Sequence, residues 1–282
     1  MDPIMDQTAD PSEQEKRAEN TPAPSCKPQD SQDPSSNASR AWRYVQQPVA
    51  ASTFIELELI ILTFCIGIQD AISFPDFHCF ASNQTGNTVF LMLAIILPEL
   101  NGEMFFTANI GAALGFFLVG NWVTGQIGHI VGPRRRCWLI VCNCIQTCLV
   151  FAAGAIQYRH GTAIQDTGAV LVVSLLAFAS GSQVVAPRTF ALTEITTAMA
   201  TAAWVDLMID PKLFKLDNKA RTRRVLFLFT LVMGSLAGAG IYKTAGSAVA
   251  IFVSAGGKLL VTGMFFFNGT EKERRTDGEN AC

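Results

Sequence analysis

The chain has 282 residues and a formal net charge of −2; half of it is hydrophobic and only 16% is charged. That balance excludes a basic nucleic-acid binder and a charged, solvated chain. Away from both ends the sequence is one apolar block after another, with too many helices lacking a polar face for a soluble domain of this length.

In chain order, residues 1–47 are rich in Ser, Pro, Asp, Gln and Glu, a composition that cannot bury enough apolar surface to fold. They are expected to form a disordered cytoplasmic tail, either a docking segment or merely solvated. The tail has no apolar core of a secretory signal, so the first span is expected to direct insertion. Runs of roughly 18 or more apolar residues match the hydrocarbon thickness of a bilayer. They predict full spans at Ile55–Phe74, Phe105–Val131, Trp138–Gln157, Gly168–Ala186, Val225–Tyr242 and Ser247–Phe267. Two apolar stretches, Thr88–Leu97 and Thr197–Ile209, are too short to cross comfortably.

The short stretches belong to a pattern repeated about 114 residues apart. Gly67-Ile68-Gln69-Asp70 leads through Asn83-Gln84-Thr85-Gly86-Asn87-Thr88 into the first; Gly181-Ser182-Gln183 leads through Thr196-Thr197 into the second. Gly111-x-x-x-Gly115 and Gly234-x-x-x-Gly238 recur in the corresponding long spans and are expected to pack helix on helix.

Basic loops stay in the cytoplasm. Arg134-Arg135-Arg136, the cluster from Lys212 to Arg224, and Lys272, Arg274 and Arg275 therefore share one side, with a weaker vote from Arg40 and Arg43. An even number of crossings between these segments requires that neither short stretch cross. The predicted fold class is an all-α polytopic transmembrane helical bundle, six full spans plus two short re-entrant half-helices in two inverted repeats. The transmembrane domain covers 54–267, with repeat one at about 55–131, repeat two at about 168–242, and spans 138–157 and 247–267 closing each half. Residues 268–282 form a second cytoplasmic tail. Eight full crossings with parallel repeats remain the alternative, against the charge rule.

Ionisable groups inside a bilayer are expensive and each needs a reason. Lys258 lies mid-span and needs a partner; Asp70 is the first candidate and Asp206 the second, in a pair that could be structural or belong to a site. The Asn83–Thr88 cluster could cap a half-helix whose free N–H groups suit an anionic or carbonyl group, or could be an ordinary capped loop. Glu56 and Glu58 read as interfacial, and Asn109, Asn121, Gln126, His129, Asn143 and Gln146 as interhelical glue. Cys142, Cys144 and Cys148 read as packing residues, and the three histidines are too dispersed for a metal. Asn83-Gln84-Thr85 and Asn268-Gly269-Thr270 match glycosylation acceptors but are discounted by their position. The common hydrolase and phosphate-loop patterns do not occur, so no enzyme, catalytic residue, metal or cofactor is expected.

Gly67-Ile68-Gln69-Asp70-Ala71-Ile72-Ser73-Phe74, followed by Phe80-Ala81-Ser82-Asn83-Gln84-Thr85-Gly86-Asn87-Thr88-Val89-Phe90-Leu91, resembles the signature of the YoaK-like family. These are multi-pass membrane proteins of bacteria and filamentous fungi, classed as a domain of unknown function, and the likeness is to a fungal member. It runs from about Phe54 to Phe267. The second half departs from the pattern: Thr196-Thr197 and Arg188 are present, but Ala200-Thr201 stands where Thr-Gly is expected. The resemblance implies the membrane class and carries no activity. The expected function is a secondary transporter or permease of a small solute, with a non-transporting scaffold or accessory subunit as the alternative. Its substrate-binding residues would be Gln69, Asp70, Asn83, Thr85, Gly86, Asn87, Thr88, Gln183, Asp206 and Lys258. Partners would be the lipid bilayer and that solute, with no nucleic acid, in the plasma membrane rather than an internal one.

Overall fold

The structure, a computed structural model, describes residues 35–161, 167–215 and 217–270. The expected tail thus falls largely outside the described residues, but its last part, Ser35–Gln46, is a helix (α1). Among the described residues every named element is helical, and pairing outside the helices is limited to isolated bridges. Six helices are long and apolar enough to cross a bilayer, the build of a multi-pass membrane protein. They are α2 (Thr53–Phe77), α4 (Thr107–Val131), α5 (Arg136–His160), α6 (Thr167–Gln183) with its short continuation α7 (Val185–Thr189), α9 (Lys219–Ala245) and α10 (Ser247–Met264). The fourth predicted span is therefore not one unbroken helix. Two shorter helices, α3 (Gln84–Ile96) and α8 (Ala200–Met208), follow α2 and α7.

Local chemistry sets the ends. Ser52 accepts the Ile55 N–H at the start of α2, and Asn218 accepts the Arg221 N–H at the start of α9. Gly132 and Gly246, both at positive φ, stop α4 and α9. α3 begins four residues before the sequence expectation. Asn83 caps it by accepting the Gly86 N–H, so the polar run Gln84–Thr88 forms its first turn and is not a loop.

The spans interlock through glycines. α2 packs on α9 and α6 on α4. A Cβ at Gly234 would overlap the Phe64 carbonyl, and one at Gly67 the Leu231 carbonyl; likewise one at Gly120 would overlap the Phe178 carbonyl, and one at Gly181 the Phe117 carbonyl. Each contact in the second set lies about 114 residues from its counterpart in the first. Without a hydrophobic drive between helices in lipid, such close backbone approach is what association rests on. The expectation for Gly111 and Gly115 is corrected: both face open space, and Gly120, one turn beyond, makes the contact.

One end of the bundle gathers the basic loops. Val49 N–H donates to the Arg134 carbonyl, Arg134 Nε to the Thr189 carbonyl, and Arg223 pairs with Glu56 at 2.6 Å. Arg136 is fully buried there, donating to the Phe266 and Asn268 carbonyls with its guanidinium 3.7 Å from the centroid of the Tyr44 ring. Glu58, expected at the interface, is also buried and accepts a 2.8 Å hydrogen bond from Asn268 Nδ2. Residues flanking α3 meet each other, Asn109 Nδ2 donating to the Phe77 carbonyl and the His78 ring lying 5.0 Å from that of Phe106. Those flanking α8 do the same, with Glu194 3.9 Å from Arg223.

Candidate functional site

The ten residues expected at a binding site separate into three places. Gln69, Gln183 and Lys258 lie in a buried polar layer between α2, α5, α6 and α10. Gln69 Nε2 donates to Ser254 Oγ at 2.8 Å and its Oε1 accepts from Ser180. Gln183 Nε2 donates to the Leu62 carbonyl, while its Oε1 accepts from Lys258 Nζ; Gln146 Oε1 is the second acceptor, at 3.4 Å. Among the described residues no carboxylate meets Lys258. Asp70 is engaged by Ser82 N–H and Oγ, and Asp206 faces Arg224 at 3.8 Å, so two neutral amide oxygens hold the ammonium. Gln146 continues to Ser182, which accepts from Thr124 Oγ1, and Asn143 ties α5 to the Lys258 carbonyl and Thr262. A small pocket of about 30 Å³, room for a water or two, reaches from Pro133 and Thr189 at the basic end to Gln146 and Gln183.

Gly86, Asn87 and Thr88 build the first turn of α3. Asn87 is fully buried: its Oδ1 accepts the Phe80 N–H, and its Nδ2 donates to the Phe80 carbonyl and to Gln84 Oε1. Thr88 Oγ1 bonds back to the Gln84 carbonyl. These residues position the helix and do not line the cavity.

Asp70, Asn83, Thr85 and Asp206 line the third place, a cavity of about 650 Å³, within the range of small-molecule sites. Its wall also holds Ser82, Gln84, Phe117, Asn121, Val184, Arg188, Thr201 and Leu231. The start of α3 opens into it through Gln84 and Thr85, and the start of α8 through Ala200, Thr201 and Ala202. Among the described residues no side chain caps α8, so its first N–H groups, at the cavity wall, have no side-chain acceptor. Lining positions pair across the halves at the spacing of the glycine contacts: Asp70 with Val184, Thr85 with Met199, Phe117 with Leu231. The sequence reading missed Ser82, Thr201 and Phe117 and took Asn121 for glue; the common offset could have found Phe117 through Leu231, and carried no signal for the other three. Among the described residues no group of His, Cys, Asp or Glu side chains could hold a metal ion.

The family model described as "Protein of unknown function (DUF1275)" matches residues 59–264, and the chain belongs to that family. That match spans the glycine contacts, the buried layer and the cavity alike. No curated protein and no solved structure matches the chain.

Proposed function

We propose that the chain is a permease for a small solute, built as two inverted repeats of three spans and one re-entrant half-helix, with the solute held in the cavity between the halves. The cavity carries this reading, because its lining comes from corresponding positions of both halves and from the starts of both short helices. A site between repeats, at the ends of discontinuous helices, is the recurrent plan of secondary transporters.

The topology has its own support. The contacts that join the residues before and after α3, and those before and after α8, favour short helices that enter and return. α2 then leaves the basic end while α6, its counterpart, arrives there through Arg134 and Thr189. The charge bias places the basic end in the cytoplasm. Within the family, the Asn83–Thr88 segment favours the YoaK-like members.

The test is light-scattering of proteoliposomes holding the full-length protein and challenged with small polyols and salts. Faster swelling than in empty liposomes is expected with at least one of these solutes, and Ala202→Trp, which fills the cavity, should abolish it. A scaffold would show no swelling. Removing residues 1–34 should leave flux unchanged, whereas an adaptor acting through its tail would lose its phenotype.

A further inference from the structure

Among the described residues Arg188 is a cation without a carboxylate. It follows the end of α6 in the short helix α7 and opens to the cavity, where the one hydrogen-bond partner of its guanidinium among the described residues is the Met199 thioether, 3.2 Å from Nη2. Sulfur is a weak acceptor for five N–H donors. Neither carboxylate of the lining pairs with Arg188: Asp70 accepts from Ser82 on the same wall, and Asp206 lies 3.8 Å from Arg224. Asn121, Thr85 and Thr201 also face the space, and their side chains make no hydrogen bond among the described residues. The uncapped start of α8 adds N–H groups of the same polarity. Against these donors stand apolar walls, Phe117, Val184, Val205 and Leu231.

A cavity with an uncommitted guanidinium, free hydroxyl and amide groups and an apolar wall fits an amphipathic anion. We propose that the cavity binds a small organic anion, of the carboxylate or sulfonate class, with its head on Arg188 and its carbon skeleton against the apolar wall. A planar guanidinium meets such a head with two parallel hydrogen bonds, which an ammonium cannot do. The proposal rests on the permease reading and adds the charge and class of the solute.

The experiment is tracer uptake into proteoliposomes of the full-length protein near neutral pH, with labelled lactate and methanesulfonate as anions, glycerol as a neutral probe and choline as a cation. Uptake of at least one anion above empty liposomes is expected, with glycerol and choline at background. Arg188→Gln should lower it by about tenfold or more, the scale of a lost charge-assisted contact, and Arg188→Lys should restore part of it. Retention of the wild-type elution volume and unfolding temperature separates a lost contact from a lost fold; if Arg188→Gln unfolds, Asn121→Ala at the same wall should still weaken anion uptake. Uptake of glycerol or choline but of neither anion overturns the anion assignment and leaves the permease standing. Anion uptake that Arg188→Gln and Asn121→Ala leave unchanged overturns the role of this wall. No uptake of any probe by folded protein overturns the permease reading and the anion with it.

Discussion

The ammonium of Lys258, at full burial, is held by the side-chain oxygen of Gln183, a residue 75 positions away in a different span. The Lys–Asp pair that the sequence suggests is replaced by a lysine clasped between amides. Interaction energies separate the two arrangements. Residues in contact couple by about 0.5–3 kcal/mol, whereas distant ones add to within about 0.5 kcal/mol. A double-mutant cycle between Lys258→Met and Gln183→Leu should therefore show coupling, read from unfolding of the purified protein in mild detergent. The cycle between Lys258→Met and Asp70→Asn should be additive. Coupling at Asp70 and none at Gln183 would reverse the assignment.

Gly120, Gly181, Gly67 and Gly234 each lie where a Cβ would meet a backbone carbonyl, and a carbonyl in a helix cannot rotate away. Substitution by Ala at any of them should destabilise by about 1–3 kcal/mol, the cost of overpacking. Gly111→Ala and Gly115→Ala meet open space and should stay within about 1 kcal/mol of wild type, with better helix propensity acting in their favour. Unfolding of all six variants under one set of conditions gives the comparison. Equal losses at Gly111 and Gly120 would contradict the packing described.

These two cases mark what the sequence could reveal. The six spans were legible because length and apolarity alone set them, and all but the start of α9 fall within about three residues of the expected bounds. Which face of a helix meets a neighbour was not legible: Gly111-x-x-x-Gly115 has the right pattern on the wrong face, and the contact falls to Gly120, which has no such pattern. The start of α3 was hidden for a related reason. Gln84 to Thr88 looks like a loop at membrane depth until Asn87 is seen closing a ring of hydrogen bonds with Phe80 and Gln84. Glu58 and Arg136 seemed destined for water because their buried partners, Asn268 and the Phe266 carbonyl, lie more than a hundred residues away. The two short helices were legible as apolar stretches too brief to span, but the cavity beside them required knowing that Arg188 and Asn121 face the same space.

The orientation proposed for the bundle is open to labelling. Added cysteines at Glu103, in the loop between α3 and α4, and at Lys215, between α8 and α9, should increase labelling by a membrane-impermeant maleimide from opposite sides. Glu103→Cys should react from outside and Lys215→Cys only after permeabilisation. The native Cys79 will not serve as a reporter, since it is fully buried and burial, aided by Asp70, pushes its thiol up to about 12. Labelling of both added cysteines from one side would sink the six-span arrangement.

The turn between α8 and α9 should respond to acid. The Asp210 carboxyl is held below the usual carboxylate range by Asn218 Nδ2 at 2.9 Å, then by the Lys212 N–H at 2.8 Å, with Arg224 3.6 Å away. A lowered folded value means the stabilisation is present above the ordinary carboxylate pKa, about 4, and is lost as pH falls through the folded value. Amide protection at Lys212 should therefore drop on acidification below about pH 4 in the wild type. In Asp210→Ala protection should be low at every pH. Constant protection in the wild type across that range would show that the carboxylate does not hold the turn.

Asn87 and Thr85, two residues apart, should fail in different ways. Asn87 has no exposed surface and satisfies both the N–H and the carbonyl of Phe80, so Asn87→Ala strands two part-buried backbone groups. Each unsatisfied group costs about 1–3 kcal/mol, and the first turn of α3 should loosen with them. Asn87→Asp keeps the acceptor for the Phe80 N–H but removes both donors, and should fall between Ala and wild type only if the acceptor contributes separately. Thr85 lines the cavity, and its side chain has no hydrogen-bond partner among the described residues, so Thr85→Ala should leave unfolding unchanged. If the cavity holds solute, Thr85→Ala should instead change the concentration dependence of uptake while the maximal rate per folded molecule is kept. Unfolding and uptake measured on the same preparations distinguish the residue that builds the site from the residue that touches its contents. A large stability loss at Thr85 with none at Asn87 would reverse those roles.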